Sequence, residues 1–262
     1  MDKRINVLVF PCGSENALEI HQSLKDVVNI TLYGASGSGK TYSAIELAKG
    51  LTIKGDIAII DTEAGSASLY SHLGSFKVLN LTAPFTPERC IEAIGVCTQA
   101  GAEVIVFDSL SHEWEGSGGI LEMHAQMPGN SFANWGKIMP RHNALIHALL
   151  SCPAHVVVTL RTKQDYQVST ERGGMSIQKL GLKPVQKDGI DYEFTIAFEV
   201  GMNHESTAAK DRTGLFVDQP PFQITKQTGR TIQSWCTPPS THIQSLDQLK
   251  NINHEHFNHA KH

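Results

Sequence analysis

The sequence predicts an α/β fold with a mainly parallel sheet flanked by helices. Three observations carry that expectation. Short, almost wholly apolar runs of strand length recur along the chain, as expected for strands buried on both faces. Segments of helical periodicity separate them, so strand and helix alternate. The length of 262 residues suits one large domain with additions. Forty percent of the residues are hydrophobic and 18% charged, which excludes wholesale disorder and collagen-like repeats.

The elements follow in order. Ile5 to Phe10 reads as a strand and Ala17 to Val27 as a helix. The basic start before Ile5 mimics a secretory signal, but the apolar stretch is short and no small-residue cleavage site follows. Asn29 to Tyr33 is a strand, a Gly/Ser loop follows, and a helix runs from about Lys40 to Lys49. Ile57 to Ile60 is a strand; Pro87 to Ala100 is a helix with proline in its first turn. Val104 to Phe107 is a strand, Pro140 opens a helix to about Leu150, and His155 to Leu160 is another buried strand. Asp191 to Val200 and Gly214 to Val217 read as later, antiparallel strands. Residues 115–135 and 162–188 lack a period and are long for connections, which marks them as binding loops or flexible segments. The domain reading is a leader over 1–28, a core over 29–236 and a polar tail over 237–262.

Cysteine usage and charge narrow the setting. The five cysteines are scattered without a C-x-x-C pair, which points to reduced cytosolic thiols rather than disulfides or zinc, hence a cytoplasmic protein. No apolar run approaches membrane-spanning length. The net charge of −4 argues against a broad basic coat for nucleic acid. Its distribution is uneven, however: residues 161–187 hold six basic side chains against two acidic ones. The tail histidines, His254, His256, His259 and His262, are not spaced as consistent ligands and read as a solvated end.

The most specific feature is Gly34-Ala35-Ser36-Gly37-Ser38-Gly39-Lys40-Thr41, which fits G-x-x-x-x-G-K-[ST] with a strand before it and a helix after it. The glycines let consecutive backbone N–H groups turn toward phosphate oxygens, and the helix N-terminus adds favourable partial charge. Lys40 offers a cation to the β and γ phosphates of ATP, and Thr41 a hydroxyl to Mg²⁺. A buried strand ending at Asp108 supplies the second Mg²⁺ carboxylate expected of such sites. Hydrolysis also needs a carboxylate that orients water. Glu63, two residues past the strand ending at Asp61, is the first candidate; Glu113 is the rival.

The segments LYGASGSGKT, IIDTEAGSA, VIVFDSLSHEW and HVVVTLRTKQDY together resemble phage-type AAA-family ATPases with a RecA-like core, a group that includes phage single-strand-annealing ATPases. The resemblance covers about residues 29–236 and implies a RecA-like P-loop NTPase fold. It further implies a sensor at the end of the strand His155 to Leu160, near Thr159 and Arg161, where RecA carries a glutamine. Arg161 would contact the γ-phosphate or cap the strand. Lys210 and Arg212 look like the basic pair that RecA-like proteins insert into a neighbouring subunit's ATP site, which implies a homo-oligomer. The two long loops lie where such proteins hold DNA, and Phe132, Trp135 and Tyr166 add groups that stack on bases. Residues 1–28 instead resemble the opening strand–loop–helix of ATP-grasp enzymes. The functional expectation is a Mg²⁺-dependent ATPase coupled to single-stranded DNA annealing or recombination. The alternatives are a P-loop ATPase without DNA affinity (packaging, regulatory or kinase-like) and a nucleotide-binding interaction module.

Overall fold

The structure, a computed structural model, describes residues 27–171 and 174–237. The expected leader strand and most of its helix, Arg172 and the tail histidines lie outside these residues.

The parallel core consists of β1 (Asn29–Gly34), β2 (Ile57–Asp61), β3 (Lys77–Asn80), β4 (Val104–Asp108), the first part of β5 (His155–Glu171) and β7 (Ile196–Val200). They are ordered β3-β2-β4-β5-β1-β7, and β8 (Ser206–Asp211) closes the β7 edge antiparallel. The remaining strand, β6 (Gly174–Pro184), pairs only with the outer part of β5. Apolar runs occupy the middle strands because both faces are covered. Ile57, Ile59, Val104 and Val106 point into one apolar cluster, and Ala58, Ile60, Ile105 and Phe107 into the other. That alternation is the two-residue period of a strand.

Helices fill both faces. On the first lie α1 (Lys40–Leu51) and α6 (Lys226–Cys236), packed together. Their backbones approach closely at Gly50 and Gly229: a Cβ on Gly50 would stand 2.2 Å from the Lys226 carbonyl oxygen. On the second face lie α2 (Pro87–Gln99) and α5 (Ser131–Leu150). Thr86 caps α2 by accepting the Arg89 N–H at 3.4 Å, with Pro87 behind it. Asn130 caps α5, accepting from Phe132 and Ala133. The short α3 (Ser111–Glu115) and α4 (Ile120–Gln126) connect β4 to α5.

The fold agrees with the predicted class, but several local expectations are corrected. Pro140 does not open a helix; it lies inside the 20-residue α5. The carbonyl it leaves without a helical donor belongs to Gly136, and both residues are exposed, so water can serve that oxygen. Residues 115–135 carry α4 and the start of α5 instead of forming one loop. Residues 162–171 and 174–184 form a two-stranded antiparallel arm, paired from Thr162↔Pro184 to Glu171↔Gly174 with a bulge at Asp165/Tyr166. Its strands satisfy each other's backbone groups, so no alternating burial was needed in the sequence. Gly214 to Val217 is not a strand; the edge strand is β8, and β7 begins only at Ile196. Strand β3, helix α6 and the 3₁₀ helix Ser66–Leu73 were not anticipated. Among the described residues, no helix is long and apolar enough to cross a membrane.

Candidate functional site

The strand register brings the motifs together at the carboxyl edge of the sheet, where open α/β folds bind ligands. Asp61 stands opposite Asp108, and Gly34 opposite Arg161, while Thr159 is one pleat below on β5. Lys40 and Thr41 begin α1 directly after Gly39, whose φ of 94° lies in the left-handed region that glycine tolerates. The result is a cleft of about 880 Å³ lined by the loop, Glu63, Asp108 and Arg161. That is a volume suited to a nucleotide-sized ligand.

Within it the hydroxyl and carboxylate expected to manage Mg²⁺ already meet: Thr41 Oγ1 donates to Asp108 Oδ2 at 2.7 Å. The other carboxylate oxygen accepts from Thr159 Oγ1. Burial pushes the Asp108 carboxyl above the ordinary range, and the two hydroxyls oppose that rise. Two hard oxygen ligands beside a phosphate cradle fit Mg²⁺, which keeps waters and takes few protein ligands. Among the described residues, no group of three or more His, Cys, Asp or Glu is placed to hold a metal ion. Lys40 Nζ donates to the Ala35 carbonyl at 2.8 Å, and burial lowers its pKa while Asp108 and Glu63 oppose this.

Glu63 and Arg161 form a two-pronged pair, Nε to Oε1 and a terminal nitrogen to Oε2, both at 2.9 Å. Burial works to raise the Glu63 carboxyl, but the Arg161 bond and charge, with His112 and Lys40, hold it below the ordinary carboxylate value. The Arg161 backbone is anchored as well, its N–H donating to Ser111 Oγ at 2.9 Å. Asp61 acts locally, its carboxylate accepting the Glu63 and Ala67 N–H groups and so shaping the segment after β2.

Other candidates lie elsewhere. Glu113 is buried on α3, facing away from the cleft lining, where His142 Nδ1 lies 3.0 Å from one oxygen and Gln186 Nε2 donates to the other at 3.1 Å. Lys210 and Arg212 sit at the opposite end of the β7–β8 hairpin from the loop, because β7 runs parallel to β1 and β8 returns. There Lys210 donates to the Asp191 and Tyr192 carbonyls, and Arg212 to Tyr192 O at 2.8 Å. Of the basic residues near the arm, Arg161 is taken by Glu63 and Lys183 pairs with Asp188 at 2.7 Å. Trp135 stacks on His124 and Trp114, while Phe132 is 89% exposed.

Sequence reasoning missed the rest of the cleft wall: Tyr70 from the 3₁₀ helix, His204 from the β7–β8 turn, and Gln223 with Ile224 before α6. None belongs to a local motif, and only the order of strands brings them to the loop.

No curated protein matches the chain. A family model described as an AAA domain matches residues 27–238, which takes in every strand, helix and cleft residue described above. The chain therefore belongs to the AAA-domain family of P-loop ATPases.

Proposed function

We propose that this protein is a Mg²⁺-dependent ATPase whose turnover is coupled to single-stranded DNA, in annealing or recombination. The observation that carries the ATPase reading is the convergence of the loop lysine, the Thr41–Asp108 pair and the Glu63–Arg161 pair in one cleft. Backbone N–H groups of residues 34–41 and the α1 N-terminus cradle the phosphates. Thr41 and Asp108 would hold Mg²⁺, which when bound would supply positive charge to offset that of the phosphates. Glu63 accepts a proton from, or orients, the attacking water. For this it must part from Arg161, whose guanidinium is then free to turn to the γ-phosphate. A homo-oligomer in which Lys210 and Arg212 enter a neighbouring copy's site would require them to leave the Asp191 and Tyr192 carbonyls to which they donate.

The DNA part of the reading rests on the arm. It projects from Arg161 itself, and the stretch 161–187 is the basic part of an otherwise acidic chain. The pairing of Arg161 and Lys183 removes two of its six cations, which favours the alternative of an ATPase without DNA affinity. One experiment separates these: ATP turnover with and without single-stranded DNA across a salt series. Stimulation that fades with salt is expected. No stimulation and no binding at low salt would leave the ATPase and remove the DNA. Lys40→Ala is expected to abolish turnover; intact turnover would remove the site.

A further inference from the structure

The turn between β7 and β8, Gly201-Met202-Asn203-His204-Glu205, packs against the phosphate loop at the rim of the cleft, where His204 also forms part of the wall. Gly34 meets the end of β7 so closely that a Cβ would stand 2.3 Å from the Val200 carbonyl oxygen. His204 Nδ1 lies 3.0 Å from the Ser38 carbonyl oxygen, and a Cβ on Gly39 would stand 3.2 Å from that same nitrogen. A carbonyl only accepts, so Nδ1 carries the hydrogen. The His204 backbone has φ 64°, a left-handed conformation unusual for a residue other than glycine. It is held there by its N–H bond to Gly201 O at 2.9 Å and by the Gly201 N–H bond to Glu205 O at 2.8 Å. An uncommon backbone conformation enforced by its surroundings is a pointer to function.

A phosphate loop works when its N–H groups face inward, so its carbonyls need partners on the outside. The Ala35 carbonyl is served by Lys40 and by the Ser38 N–H. When Lys40 swings to a phosphate, that partner leaves. The His204 bond to Ser38 does not involve Lys40.

We propose that His204 is a positioning residue for the nucleotide: its Nδ1–H holds the Ser38 carbonyl outward and presets the loop before the phosphates arrive. This rests on the cleft being the nucleotide site. Three variants separate the ring's two nitrogens. His204→Gly removes the ring without straining the left-handed backbone. His204→Asn tolerates that backbone and places an amide N–H where Nδ1 stands, but has nothing at Nε2. His204→Gln reaches toward Nε2 and lacks the group at Nδ1.

The measurements are the Kd of a fluorescent ATP analogue with Mg²⁺, steady-state KM and kcat, and melting temperature for each full-length variant. The expected result is a Kd and KM raised about three- to tenfold in His204→Gly and His204→Gln, the size of one net hydrogen bond, with kcat within about twofold. His204→Asn should stay within about twofold of the parent on the same basis. The proposal is overturned if His204→Gly binds as the parent does. It is also overturned if Gln restores affinity and Asn does not, since the ring would then touch the nucleotide through Nε2. Equal losses in all three with lowered melting temperatures would likewise overturn it, as a purely structural role. Parent protein that binds the analogue no better than Lys40→Ala would overturn the cleft assignment instead.

Discussion

Thr159→Val removes one hydroxyl from the floor of the cleft and leaves the packing volume nearly unchanged. Thr159 is fully buried on β5 and donates to Asp108, itself only 2% exposed. No cavity is created, so the loss is that of one charge-assisted hydrogen bond to a carboxylate, about 1.5–3 kcal/mol. For a chain of this size that corresponds to roughly 3–12 °C in melting temperature. The pH dependence has a definite sign. Burial has already raised the Asp108 carboxyl above the ordinary range, with Thr159 the larger of the two opposing hydroxyls, so the variant raises it further. A carboxyl whose pKa is raised by folding binds its proton more tightly in the folded state. Folded stability therefore falls as pH climbs from the ordinary carboxylate value through the raised one. The deficit of the variant should be larger at about pH 8 than at about pH 5, measured by thermal unfolding in matched salt. Half-saturation by Mg²⁺ should also move to higher concentration. A melting temperature within about 1 °C of the parent, or a deficit that grows toward acid, would refute the reasoning.

Three further outcomes follow from the same geometry. Glu63→Gln should lower kcat about a hundredfold or more while nucleotide still binds, because a positioned base contributes that much; a kcat within about threefold, read by phosphate release, removes Glu63 from the chemistry. Glu113→Gln should leave kcat within about threefold but cost about 1–3 kcal/mol in urea unfolding, since the buried carboxylate it replaces serves His142 and Gln186. On the surface, the Arg141 hydrogen bond holds the Glu88 carboxyl down at about 2. The stability from that depressed acid is present above the ordinary carboxylate pKa and is lost as pH falls toward about 2. Both partners are well exposed, so after solvent screening Glu88→Gln should cost under about 1 kcal/mol at neutral pH. Its melting curve should converge with the parent's in acid.

The sequence by itself determined the parallel α/β class and the placing of the phosphate loop, because both depend on short-range chemistry. Apolar runs of four residues, each ending in a buried aspartate, must be covered on both faces, and a Gly-rich turn between strand and helix has one well-attested use. Asp108 was legible for the same reason, as a carboxylate ending such a run. The two glutamates could not be told apart from sequence, since each follows a strand by a few residues. Only the packing put Glu63 in the cleft and turned Glu113 toward His142 and Gln186. Arg161 was equally open: its register opposite Gly34 and its reach across to Glu63 exist only once β5 is seated beside β1. The arm escaped notice because a ribbon paired to itself needs no hydrophobic period. His204 carried no signal at all; strand order alone lays its turn against the loop. Local pattern records what each segment must bury, while the site is made by contacts between segments more than a hundred residues apart, such as Ser38 and His204.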